Sequence, residues 1–545
     1  MKHGTLGVAL SMALMAAHSN ASAQSNIVLV NMDPPDAGLN DPASATPIGG
    51  NPGRTLGEQR RIAYQYAMDL WRALLSSDVD VRVQASFTPL ECGDRTILGS
   101  AGPVSWESDF AGAPIAGVEY PVAMANAVAG EDLVPGSDDI NTYFNSELGT
   151  EACGGKEWFY GLYGNADNTA GGSNFLNVIM HEIGHGLGVS GRLGSFLGTP
   201  FWLGPTGYGA LAVSNQFDDT SINDLDSGQR NTALITVGDI VWTGGRANVS
   251  TQLIADNRRN LLVTAPETVA GQYEAGFAAF GSPDREAFPS GEIALVLDPD
   301  AATSQACEES IAHPEVLQGR IALVDRGECE FGFKALNAQR HGAIAVIIAN
   351  SDDAVFGDMG PGASGGEVTI PVVSVSSSTG QRLRGEEPVL AQGTVEDPDS
   401  FYGMDARGRT RLYTTSQFER GSTFSHVDRD MSPNALMEPS ETATLEAHAF
   451  IDISLDLYED LGWPVDRDGT AVLGGCDTGI PVIRDVGFIP GASLMAHQNV
   501  CEVAAQGSRA GYQRCMNDHA LRLRDNGHIS NAEVSQVRRC LAARR

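Results

Sequence analysis

Three side chains within five positions set the chemical question for this chain. His181 and His185 are four residues apart in Asn174-Phe175-Leu176-Asn177-Val178-Ile179-Met180-His181-Glu182-Ile183-Gly184-His185-Gly186-Leu187-Gly188. At 3.6 residues per turn they leave a helix from nearly the same face, where two imidazoles can share one zinc ion. Glu182 lies between them. Zinc lowers the pKa of a bound water towards ~7, and a neighbouring carboxylate can take that proton as the oxygen attacks a carbonyl, then return it to a leaving amine. H-E-x-x-H on a helix is therefore a metal-hydrolase signature with a mechanism behind it. Apolar Phe175, Leu176, Val178, Ile179, Met180 and Ile183 predict a buried helix, and Gly186 and Gly188 predict that it stops just past the second histidine.

Two ligands do not hold a catalytic zinc, so a third is required. Among zincins, one class uses a downstream glutamate, but no Glu occurs from Gly186 to Pro266. Another continues as H-E-x-x-H-x-x-G-x-x-H; Gly188 fits that pattern, yet Gly191 occupies the place of the third histidine. The next histidines are His313, His341 and His426. His426 lies in Gly421-Ser422-Thr423-Phe424-Ser425-His426-Val427-Asp428, followed by Asn434-Ala435-Leu436-Met437-Glu438-Pro439, which resembles the Met-turn beneath the zinc of metzincins. The third ligand is then displaced 241 residues beyond His185, and the chain between must leave the site and return, as a folded insertion with neighbouring ends can do. His313 and His341 fall inside that insertion and read as structural.

At 545 residues the chain is too long for one core, and its net charge of −33 disfavours nucleic acid or an anionic membrane as partner. Lys2, the apolar run Gly7 to Ala17 and Ala21-Ser22-Ala23 read as a signal peptide, predicting export to the periplasm or beyond. No transmembrane segment is expected, since no run reaches 18 apolar residues. Eight cysteines in an exported chain favour disulfides, although they allow on the order of 100 pairings.

The elements that must carry the site follow from patterning. Ile27 to Val30 reads as a strand. Thr55-Leu56-Gly57-Glu58 is a capping box opening a helix marked by Ile62, Tyr66, Leu70, Trp71 and Leu74, and Val79 to Phe87 alternates as a half-buried strand. Cys92 and Cys153 flank a loop-rich region and are candidates to pair. Beyond the site helix, Phe201, Trp202 and Trp242 are expected packing anchors. Asp218, Asp219, Asp224 and Asp226 are candidates for a structural Ca2+, without the loop pattern that would support one. From about Leu261 short apolar strands at Ile293 to Leu297, Ile321 to Val324 and Ala343 to Ala349 alternate with a helix at Phe331 to Arg340.

The residues Gly319-Arg320-Ile321-Ala322-Leu323-Val324-Asp325-Arg326-Gly327-Glu328-Cys329-Glu330-Phe331, with Lys334-Ala335 and Gly342-Ala343-Ile344-Ala345-Val346-Ile347-Ile348-Ala349-Asn350, resemble the protease-associated (PA) domain. The resemblance implies a Cys307–Cys329 disulfide and no catalytic groups in this unit. Downstream, a helix is expected from Ala443 to Glu459. Two more are expected at Ser508 to Asn526 and Asn531 to Ala543, with Cys515–Cys540 and Cys476–Cys501 as one possible pairing and His519 and His528 on the surface.

Together these features resemble a bacterial metzincin of the leishmanolysin type, whose third histidine is likewise separated by an insertion. The fold class expected is α+β: a zincin-like catalytic domain with an inserted α/β PA domain and a small disulfide-stapled α-helical tail. The expected map is a signal peptide at 1–23, catalytic segments at 24–260 and 398–465, the PA insertion at 261–397 and the tail at 466–545. The activity implied is that of a zinc endopeptidase acting on proteins or peptides, with His181, His185 and His426 on Zn2+, Glu182 as general base and Met437 packed beneath. Two rivals stay open: a PA-domain zinc aminopeptidase, and a non-catalytic binding protein on a peptidase scaffold.

Overall fold

The computed structural model describes residues 25–544 apart from 94–95, 165–171, 197, 283–287, 301, 354, 358, 385–387 and 442–444. The signal-peptide reading lies outside the described residues. The architecture is mixed α/β, and no described helix is long and apolar enough to cross a membrane.

A four-stranded sheet opens the fold. Strands Ile27–Asn31, Val81–Thr88 and Ile140–Asn145 run parallel in that spatial order, and Gly99–Pro103 is antiparallel to Ile140–Asn145 at the edge. The alternation seen in the sequence is realised at Val81, Val83 and Ala85, which are buried, while Arg82 is exposed. The long helix Leu56–Leu74 begins at the expected capping box, with Thr55 and Glu58 each bonding the other's backbone. It buries Tyr64, Tyr66, Leu70 and Trp71, and the Trp71 Nε1 donates to the Met180 carbonyl of the site helix, Phe175–Leu187. That helix is capped by the Asn174 side chain and ends at Gly188, whose positive φ of 145° is open to glycine.

The inserted unit is an eight-stranded sheet. Its core is the parallel run Gly291–Leu295, Ile321–Asp325, Ala345–Ala349 and Val372–Val375. Ile321, Leu323 and Ile347 pack into one apolar cluster, and Ala322, Val324, Val346 and Ile348 into another. Two covered faces explain why these strands are apolar without alternation. The unit's first and last long strands, Asn257–Ala265 and Val389–Phe401, pair antiparallel with Asn257 opposite Phe401. Arg258 at this base is buried, donates to the Phe401 carbonyl (3.0 Å) and Glu274 (2.9 Å), and pairs with Asp430 four residues past His426.

Several expectations need correction downstream. The helix expected from Ala443 spans only Ser454–Leu461; the apolar stretch before it is irregular and wraps a buried aspartate, Asp452. The tail has three helices, Pro490–Ala505, Arg509–Asp525 and Asn531–Ala543, preceded by a small hairpin. With the unexpected helix present, Cys501 pairs with Cys515 across adjacent helices and Cys476 with Cys540, in place of Cys515–Cys540 and Cys476–Cys501. Cys92–Cys153 and Cys307–Cys329 pair as expected. His519 is buried, and Phe201 is about half exposed while Trp242 is fully buried.

Candidate metal centre

The site helix and the segment after the insertion meet at three imidazoles. The Nε2 atoms of His181 and His185 are 3.0 Å apart, and His426 Nε2 is 3.2 Å from each. Every Nδ1 is held by a backbone carbonyl: His181 by Leu436 (2.7 Å), His185 by Val189 (2.7 Å) and His426 by Ser422 (2.8 Å). A carbonyl only accepts, so each Nδ1 carries the proton and each neutral ring turns its Nε2 lone pair to the same point. Burial lowers the pKa of His181 to about 4, and burial with the neighbouring His181 lowers that of His185 to about 3, so both are neutral and able to ligate at pH 7. Three lone pairs facing one another repel unless a cation lies between them. Tetrahedral zinc with bonds of ~2.0–2.1 Å places ligand nitrogens about 3.3 Å apart, so the donor set fits that ion.

Glu182 is buried, with Oε2 unpartnered, and burial pushes its carboxyl up to about 8. The edge strand passes beside it: a Cβ on Gly99 would come within 2.6 Å of Glu182 Oε1. On the opposite side of the helix, Gly184 lets Met437 and Tyr458 approach, since a Cβ there would lie 2.7 Å from the Met437 Sδ and 2.6 Å from the Tyr458 hydroxyl. The turn carrying Met437 is fixed by Glu438, which accepts from the Ala435 N–H (2.8 Å) and the Asn434 side chain (3.2 Å).

Asp452 was not singled out by sequence. Its carboxylate accepts from the Leu436 N–H (2.5 Å) and from the backbone (3.0 Å) and hydroxyl (2.9 Å) of Ser454. The backbone of Leu436, through its N–H on one side and its carbonyl on the other, thus joins Asp452 to His181 Nδ1. The signal available was a lone carboxylate in the apolar run Ala449-Phe450-Ile451-Asp452-Ile453.

The remaining candidates do not converge here. His313 is exposed beside Glu315, and His341 bonds the Asn337 carbonyl within the insertion. Of the aspartates considered for Ca2+, Asp226 caps a helix and Asp219 pairs with Arg407 and Arg409. Among the described residues, the groups of three or more potential ligands are His181, His185 and His426, and His497, Cys501 and Cys515.

Residues 263–383 match the PA domain family. This stretch is a PA domain. It holds none of the three converging histidines. Vacuolar-sorting receptor 2 of Arabidopsis thaliana is 30% identical over 202 residues, covering 34% of this chain and 31% of the receptor. A probable lipoprotein aminopeptidase, LpqL, of Mycobacterium tuberculosis is 33% identical over 125 residues, 23% of this chain and 24% of that protein. The chain thus spans about a quarter to a third of these relatives. A zinc aminopeptidase of Bacillus subtilis, BSAP, aligns over 28% of this chain and 37% of its own at 19% identity, with a TM-score of 0.21.

Proposed function

We propose that the chain is an exported zinc endopeptidase of the metzincin type, leishmanolysin-like, with the PA domain inserted between its two catalytic segments. The observation that carries this reading is the convergence of three tautomer-fixed Nε2 atoms beside an unpartnered glutamate. In it His181, His185 and His426 would hold the metal. When bound, the ion supplies a Lewis acid and a water acidified towards ~7. Glu182 takes the proton of the attacking water and delivers it to the leaving amine. Met437 packs beneath the ligands without ligating. The strand Gly99–Pro103 is paired on one side only, so an extended polypeptide can add along its free edge next to Glu182. Such a substrate runs past the site in both directions, which favours internal cleavage. Four disulfides accord with export. In this reading segments 24–260 and 398–465 make the catalytic unit, 261–397 the insertion and 466–545 the tail.

Glu182→Gln should retain zinc and lose about 10²–10⁴-fold in peptide hydrolysis; near-normal turnover would remove Glu182 from its role. The partial likeness to an aminopeptidase favours a second reading, trimming of single N-terminal residues. Peptides with blocked N-termini separate the two, since an endopeptidase cuts them and an aminopeptidase does not.

A further inference from the structure

The segment Asp428-Arg429-Asp430-Met431-Ser432 runs between two supports of the histidine cluster. On one side of it stands His426, and on the other Leu436, whose carbonyl fixes the His181 tautomer. The two flanks are tied together where the Val427 N–H donates to the Met437 carbonyl (3.0 Å). Within the segment, Asp428 accepts from the Asp430 and Met431 N–H groups (both 3.1 Å), and there is no helix or strand. Its shape therefore depends on what grips it from outside.

The base of the insertion grips it at two points. At the first, the Asp256 N–H donates to the Ser432 carbonyl (2.6 Å) and the Ser432 hydroxyl donates to the Asp256 carboxylate (2.7 Å). At the second, Arg258 pairs with Asp430. The same guanidinium donates through Nε to the Phe401 carbonyl (3.0 Å) and through its other terminal nitrogen to Glu274 (2.9 Å). One planar group thus joins the entry strand, the exit strand and the segment beside His426. The Tyr402 N–H, donating to the Asp256 carbonyl (3.0 Å), closes entry on exit. The Arg258 side chain is 5% exposed and that of Asp430 18%, so solvent ions screen the pair little. A lysine could not replace this fork, since a single ammonium lacks its fixed directions.

We propose that Arg258, with Asp256 beside it, is a positioning residue for the metal centre: the base of the insertion sets the segment Asp428 to Ser432, and through it His426 and the Leu436 carbonyl. This role rests on the zinc reading above. The grip belongs to the base of the insertion rather than to the body of the PA domain, and it acts on affinity for the ion, leaving Glu182 untouched. Coupling between two sites is reciprocal, so zinc at the histidines should in turn steady Asn257–Ala265 and Val389–Phe401.

The test measures zinc affinity by chelator competition on the full-length chain. Arg258→Gln and Asp430→Asn should each weaken zinc binding by about 10- to 100-fold. The double variant should be no weaker than the worse single, because both changes cut one link. Arg320→Gln, which breaks a pair with Glu292 inside the insertion, should bind zinc as wild type does. Saturating zinc should return kcat and KM of Arg258→Gln to within about twofold of wild type, and Arg258→Lys should recover only part of the lost affinity. In hydrogen exchange, added zinc should slow both base strands in wild type but not in Arg258→Gln. Should Arg258→Gln fail to fold, Asp430→Asn and the wild-type exchange measurement decide. Unchanged zinc affinity in the single variants, fully additive losses, a kcat that stays low at saturating zinc, or base strands indifferent to zinc would overturn the positioning role and leave the metal centre standing. A wild type that binds no zinc would overturn both.

Discussion

Two groups of buried and part-buried imidazoles lie among the described residues, and they differ in what holds the second nitrogen of each ring. At His181, His185 and His426 every Nδ1 is tied to a carbonyl, and the Nε2 atoms are left to converge. Among His448, His497, His519 and His528 one nitrogen of each ring has no partner. The first group is organised by backbone geometry before any ligand arrives. The second lies between the tail helices and the main body, and burial, with the charge of Arg522 and of neighbouring imidazoles, keeps its rings neutral. Fixed tautomers let the lone pairs of the first group converge on one point; burial without them leaves the second group a seam sensitive to protons.

The strongest way to break this comparison is to remove a ring from the first group. His426→Ala should lose bound zinc and bring hydrolysis to background, while His341→Ala, in the PA domain, should change neither. Metal analysis of the purified variants decides it, and full zinc content in His426→Ala would dissolve the proposed centre.

Acid probes the second group. Burial, with the charges of Arg522 and of neighbouring imidazoles, lowers His448 to about 4 and His497 to about 3, and drives His519 well below 6.5. Glu446 is the carboxylate that faces the cluster, at His528. Because the folded pKa values lie below the unfolded value of 6.5, the unfolded chain takes up protons first. Stability is intact above pH 6.5 and is lost as pH falls from there towards 4 and below, on the order of 3 kcal/mol per imidazole. Hydrogen exchange should show the tail helices loosening before the four-stranded sheet, and His448→Leu should flatten the dependence. A tail equally protected at pH 7 and pH 4.5 would contradict it.

Smaller substitutions sharpen the contrast. Gly99→Ala should displace the Glu182 carboxylate and lower turnover by roughly 10- to 100-fold with zinc content unchanged, because a misplacement near 1 Å is enough. Asp452→Asn should weaken zinc binding by about 10-fold through the Leu436 backbone, measured by competition with a chromogenic chelator. An unchanged zinc affinity would make Asp452 a packing residue only.

Much of this was legible in the sequence where a local rule applied. The capping box at Thr55 and Glu58, the spacing of His181 and His185, and the apolar strands of the PA domain are set by neighbours within a few positions. His426 stood out because a Met-containing turn follows it. What escaped depended on distant partners. Asp452 lies in an apolar run that reads as helix, yet the run is irregular and the carboxylate accepts from the Leu436 N–H. Pro490 and Gly491 hid the start of the helix Pro490–Ala505. Without it, His519 had no ring to stack on and Cys501 had no neighbour in Cys515.

The pairing of Asn257 with Phe401 at the base of the insertion has a consequence for how such a chain can change over time. Apart from the Arg258–Asp430 pair, entry and exit on adjacent strands make the unit between those two residues resemble a tight reverse turn to the rest of the polypeptide. A module mounted this way can be swapped for another, or replaced by a few residues, while the converging histidines on either side of it keep their distance.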